Sequence, residues 1–497
     1  MVAGLIGGWW IFSTGLYFVI KYSDNYREVR YKDVVFLPWR LDEYRKAKGL
    51  FWIAEGMAAT ERNEWRDAFD LLRMGLESAP DQEEARIMIA RIYLMAGRND
   101  FAQQTLIEGL GMGKDPLAYA REVIGFLFSQ QADDAVIGLT KTLIEKNAPD
   151  TDLHKLARAA QGIAYFNRDR FAESLAAFAA MGAERSPQAL LLRARSAWEQ
   201  GRKEEGIAQL NKILVDVPKD AEAYRALIVY LREDGRHGDI RRVAVARQLT
   251  LPDDAEAYID FIQACDAEKD VVRRDGAEQD FLVHFGGDVS AMFKLGEYAS
   301  RAGRVELAER VLQLCREQQK EPAAAALWVV AAEMAAGRLE AALQKADAFG
   351  AEKLGWNEMQ RLYLDGLRTL ILYGLGKEVE AAPGVGRLLD SRYLRANVAT
   401  SFALKLQTLG QAEFALRLLR KAVEIDPLYQ PALVALLREE VKAGRVADVL
   451  PLVERLPTMR KPPAELVATL RAMFESDRYL FLAQREELLK KLSVRRG

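Results

Sequence analysis

Cysteine, histidine and proline are all scarce in these 497 residues. The two cysteines, Cys265 and Cys315, are too few and too far apart for a disulfide framework or a cysteine-rich metal module. Both fall on helix-patterned faces, where a free cysteine behaves as a small buried hydrophobe. The three histidines, His154, His237 and His284, never meet at H-x-x-x-H or H-E-x-x-H spacing, which excludes that kind of zinc-binding helix. Phosphate-cradling glycine loops are missing as well; Ala382-Pro383-Gly384-Val385-Gly386 reads as a loop between helices. An excess of one charge is also absent. With 70 basic and 72 acidic residues, a net charge of −2 provides no general attraction for nucleic acid. The expectation is a chain that is not an enzyme, with no cofactor, no metal, no nucleic-acid partner and no small-molecule substrate.

One long apolar run stands out. Ala3–Ile20, AGLIGGWWIFSTGLYFVI, carries 18 residues without a charge and reads as a single-pass transmembrane anchor spanning 1–22. A charged and aromatic juxtamembrane segment, 23–48, follows. Lys21–Leu50 holds eight Lys/Arg against five Asp/Glu, which by the positive-inside rule favours a cytoplasmic array over a periplasmic one. Within it, Val34–Trp39 reads as a short extended piece packing on the first repeat or on lipid headgroups.

What the rest of the chain does have is period. Fifteen prolines among abundant alanine and leucine favour helix throughout. In Arg395–Tyr429, Ala399, Phe402, Ala403 and Leu406 share one helical face, and Phe414, Ala415, Leu418, Leu419 and Ala422 answer it. Gly410 marks the turn between the two and Pro427 stops the second. Small residues at Ala403 and Ala415 let the helix axes approach closely. The same phase recurs through Gly56, Ala90, Gly97, Gly162, Ala194 and Gly296. This pattern resembles the 34-residue tetratricopeptide repeat (TPR), with small residues at its eighth and twentieth positions and proline at its thirty-second. The resemblance implies an all-α, right-handed α-solenoid of about eleven or twelve helical hairpins over 49–462, with capping helices over 463–497. The phase falters over 255–288, which is either a degenerate repeat or a functional insertion.

In the TPR family the first helices line a concave surface. Carrying that rule over places Arg91, Arg195, Trp198, Arg225, Arg232, Phe293 and Arg301 in the lining, where arginines would grip carboxylates of a protein or peptide partner. The lysine and asparagine clamp of chaperone-tail-binding members is not matched. The expected function is a membrane-tethered interaction scaffold for an envelope-associated assembly, held in the bilayer through residues 3–20. A regulatory subunit recruiting an enzyme or protease to the membrane is the alternative. An enzyme site would instead require a closed pocket around His284 and Asp288.

Overall fold

Every regular element among the described residues of the computed structural model is helical; these residues are 2–23, 26–96, 98–456, 459–460 and 462–493. Gly97, the last four residues of the expected cap and the first residue of the expected anchor lie outside them. The chain divides into two compact units, Met1–Tyr165 and Phe166–Gly497.

The first unit opens with helix Val2–Phe18, prolonged by a wider turn over Val19–Ser23. It folds back on a short helix, Tyr31–Val35, rather than standing alone. The Trp9 indole Nε1 donates to the Val35 carbonyl at 2.9 Å, and the Thr14 and Tyr31 hydroxyls meet at 2.9 Å. Among the described residues no helix is long and apolar enough to cross a membrane. At 17 residues the first helix reaches about 25 Å at 1.5 Å per residue, against a bilayer core of about 30 Å. The expected extended piece at Val34–Trp39 is helical too. It spans the end of Tyr31–Val35 and a 3₁₀ turn, Leu37–Trp39, whose Pro38 sits near the start where no backbone donor is needed.

Three helix pairs follow in this unit: Leu41–Glu61 with Trp65–Ser78, Glu83–Met95 with Asn99–Glu108, and Pro116–Ser129 with Asp133–Lys146. The first begins ahead of Gly49, and the preceding segment packs onto it through Tyr26, whose ring lies 5.0 Å from that of Phe51. Gly49 and Gly75 explain how closely the first pair crosses. A side chain on Gly49 would meet the Gly75 carbonyl at 2.8 Å and Ala79 Cβ at 2.9 Å.

The second unit holds eight further pairs, from Pro187–Glu199 with Lys203–Asp216 to Gln430–Lys442 with Val446–Val453. Helices Ala464–Glu475 and Arg485–Ser493 come after them. Ala403 and Ala415 are fully buried, as close approach of helices Ala396–Thr408 and Ala412–Ile425 requires. Two irregularities expected from sequence are regular here. Ala382–Gly386 lies inside helix Glu378–Asp390, where Gly384 makes room for Thr369 on the partner helix instead of breaking the element. The 255–288 stretch forms an ordinary pair, Ala255–Ala267 with Val271–Phe285.

The turn between paired helices needs one left-handed residue. Gly201, Gly235, Gly303, Gly337, Gly410 and Gly444 hold it at φ between 67° and 78°. In the 255–285 pair Lys269 takes that role at φ 60°, with its side chain exposed. The left-handed conformation costs a side-chain-bearing residue about 1–2 kcal/mol. Glycine gives back about 0.5–1 kcal/mol of that in chain entropy. Lys269→Gly is therefore expected to stabilise the protein by up to about 1 kcal/mol, read as a raised midpoint in thermal denaturation.

Candidate functional site

First helices of the second unit carry the charged and aromatic side chains expected to line a binding surface. Arg195 and Arg225, from neighbouring first helices, share one carboxylate: Glu222 lies 3.3 Å from the first and 3.2 Å from the second. Such exposed pairs are worth about 0–1 kcal/mol, so an incoming carboxylate meets only a weak competitor. Trp198 stacks flat on Tyr230 with ring centroids 4.2 Å apart, and its Nε1 donates to Glu233 at 3.0 Å. Arg301 pairs within its own helix with Glu297 at 2.5 Å. Phe293 meets the Trp328 ring edge-on at 4.9 Å. Arg91 is exposed on helix Glu83–Met95 of the first unit.

Arg232 is tied into the interior. It donates to Asp260 at 2.9 Å and to Gln263 at 3.0 Å. The other Asp260 oxygen takes Arg247 at 3.2 Å. Arg247 is almost wholly buried and also reaches Asp254 at 2.6 Å and Glu256 at 3.1 Å. Glu256 in turn accepts from Lys294 at 2.8 Å. The two acids respond oppositely to their surroundings. The hydrogen bond from Lys294 holds Glu256 below the usual carboxylate range. Burial pushes Asp260 up, with Arg232 and Arg247 pulling against it.

A groove lies further along the unit. Four consecutive first helices, Val289–Ala302, Pro322–Ala335, Glu358–Gly374 and Ala396–Thr408, enclose a groove of about 980 Å3. Its walls are mostly apolar, including Trp328, Met334, Leu339, Met359, Tyr363 and Val398. Two glycines make room for aromatic rings at this part of the unit. A Cβ on Gly296 would fall 2.2 Å from the Trp328 ring, and one on Gly366 2.4 Å from the Phe402 ring. Phe402 in turn supports Tyr363, with centroids 5.2 Å apart. Arg301 belongs to this groove; Arg195, Trp198, Arg225 and Arg232 are not among its lining residues. Lys405 also lines it, and its ammonium has no hydrogen-bond or ion-pair partner among the described residues. Burial among apolar neighbours holds it below the usual lysine range.

Sequence reasoning reached Arg301 and missed Lys405. Val398, Ser401, Lys405 and Thr408 share a helical face that stands one residue round from the transferred positions. Alternating gaps of three and four along that helix were the available signal.

His284 and Asp288 have structural roles. His284 stacks on Tyr258 at 5.7 Å, and Asp288 caps helix Val289–Ala302 by accepting from the Ser290 and Ala291 amides. No group of three potential metal ligands occurs among the described residues.

No protein-family model and no curated protein matches this chain. Three of the solved structures to which the chain is similar illustrate the likeness. A crystal structure of PilW, described as a widely conserved type IV pilus biogenesis factor, is 19% identical over 48% of this chain and 93% of that one, with a TM-score of 0.26. Naa15/Naa10 bound to HypK-THB gives 12% identity over 92% and 74%, with a TM-score of 0.31. The APC/C hetero-tetramer Cut9–Hcn1 gives 16% over 80% and 85%, with a TM-score of 0.26. With identities and scores this low, function rests on the chain's own geometry.

The Arg247 cluster separates structural charge from binding charge. Arg247→Ala removes one of the two counter-charges on Asp260, leaving Arg232, and takes the buried partner from Asp254, a loss of up to about 3–5 kcal/mol. A steep fall in the thermal midpoint is expected. Arg195→Ala, in a mostly exposed pair, is expected to move it by less than about 1 kcal/mol.

Proposed function

We propose that this chain is a protein-interaction scaffold of tetratricopeptide type that holds a protein or peptide partner along its first-helix face. The observation that carries this reading is the groove formed by four consecutive first helices, because a concave, mostly apolar surface of that size is where a partner's side chains gain most. The finer reading is a tether to the membrane through residues 3–20, serving an envelope-associated assembly. It is supported by the chargeless run Ala3–Ile20 and by the exposed aromatics beside it: Trp10, Phe12, Phe18, Tyr22, Phe36 and Trp39. A water-facing patch of that composition calls for a cover. The Lys/Arg excess over Lys21–Leu50 favours the cytoplasmic side for the array.

Two measurements test the two halves separately. Partners recovered with the full chain in mild detergent are expected to fall several-fold for Arg195→Glu/Arg225→Glu and for Ala331→Trp, which fills the groove. They are expected to hold for Lys212→Glu/Arg242→Glu, an equal reversal on exposed second-helix positions. Equal recovery from all chains removes the first-helix face from consideration. For the tether, Ile11→Lys/Phe12→Lys should shift the chain from the floating membrane fraction to the supernatant.

A further inference from the structure

The strongest unexplained feature of the molecule is a lysine without an acidic partner in a mostly apolar groove whose other charges, Arg301 and Glu297, pair with each other. The arginines on the same face each have a carboxylate: Arg195 and Arg225 share Glu222, Arg232 holds Asp260 and Arg301 holds Glu297. Lys405 has none among the described residues, although 72 acidic residues were available to supply one. Burial lowers its pKa, with no neighbouring charge acting against that shift. Lys405 is solvent-exposed on the groove wall, so its ammonium is hydrated in the free protein and open to an occupant that brings a negative group to it.

From this geometry we infer that the groove takes an apolar peptide segment carrying one carboxylate, which pairs with the Lys405 ammonium while its apolar side chains cover Trp328, Tyr363, Met334 and Met359. This deepens the scaffold reading and rests on it. The chemistry selects the occupant in three ways. One unpaired cation, with Arg301 already held by Glu297, suits one carboxylate and not the run of phosphates that a nucleic acid presents. A volume of about 980 Å3 accommodates a few side chains and not a folded domain. Ser401, Lys405 and Thr408 are solvent-exposed along one wall, which leaves that side of the groove open to a passing chain. A free fatty acid shares the apolar body and the carboxylate, and the test separates it.

A library of random dodecapeptides selected on the immobilised full chain supplies the probe. The peptides recovered are expected to be apolar with an enriched Asp or Glu, and to bind Lys405→Met at least tenfold more weakly. Replacing that acid by its amide in the best peptide should cost the same factor on the wild type and almost nothing on Lys405→Met. Lys405→Met itself should keep the wild-type melting temperature, because an exposed, unpaired ammonium contributes little to the fold; a structural role for the lysine predicts a fall. Peptides that bind both chains equally, yet are blocked by Ala331→Trp, overturn the carboxylate pairing and leave the scaffold reading standing. Peptides indifferent to Ala331→Trp overturn the groove. Laurate binding without any peptide overturns the inference in favour of a fatty-acid site, and an empty selection with no laurate binding counts against both the inference and the scaffold reading.

Discussion

Close approach of helices is the constraint on which the rest of this structure depends. A two-helix unit cannot bury its apolar face alone, so each hairpin is stable only against its neighbours. The contacts are made where one side has almost no side chain. Gly49 crosses Gly75, Gly296 lies flat under Trp328, Gly366 takes the edge of Phe402, and Ala403 and Ala415 are fully enclosed. The same devices that hold neighbouring hairpins together also bear on the groove: Trp328 packs against Gly296, and Phe402, lodged against Gly366, supports Tyr363. Packing and site are one arrangement seen from two sides.

Buried charge adds register to that packing. Glu440, nearly inaccessible, is held by Arg420 at 2.8 Å and Arg445 at 2.6 Å, from the preceding hairpin and from its own turn. Glu333 takes Lys345 at 2.6 Å, and Lys345 also reaches Glu309 of the previous pair. Glu278 is clasped by Arg304 at 2.8 Å across the next turn. Burying such pairs adds little net stability, because desolvation offsets most of the attraction. A slipped register would leave one of these carboxylates enclosed without its cation, at several kcal/mol. Apolar surface alone tolerates small slides far better.

The helical period was legible wherever small residues and glycine turns mark it, as at Ala403, Gly410 and Ala415. It became illegible where a turn is held by another residue. Over 255–288 the left-handed position belongs to Lys269, so the glycine signal vanished while the hairpin remained. At Ala382–Gly386 local turn chemistry pointed to a loop, and packing of Gly384 against Thr369 overrode it. Val34–Trp39 read as extended from its β-branched and aromatic content, a preference that yields readily to context. The arginines were found correctly on first helices, but their carboxylates come from 27 or 28 residues away in the cases of Glu222 to Arg195 and Asp260 to Arg232. No local pattern reveals such a partner. Lys405 was missed for the complementary reason: a lysine becomes conspicuous only when the structure shows that nothing answers it.

That contrast bears on how an array of helix pairs acquires specificity. Most charge on the first-helix face is compensated internally, and an internally compensated ion pair discriminates poorly, since a partner must displace one contact to make another. Apolar walls supply affinity without choosing among partners, because any segment of suitable size covers them. Discrimination therefore concentrates where a polar group is left unsatisfied in the free protein, since the wrong occupant leaves it unsatisfied still. In the groove of 297–409 that group is Lys405. Lys405 lines the groove with no acidic partner among the described residues, so an occupant without a carboxylate gains nothing from it.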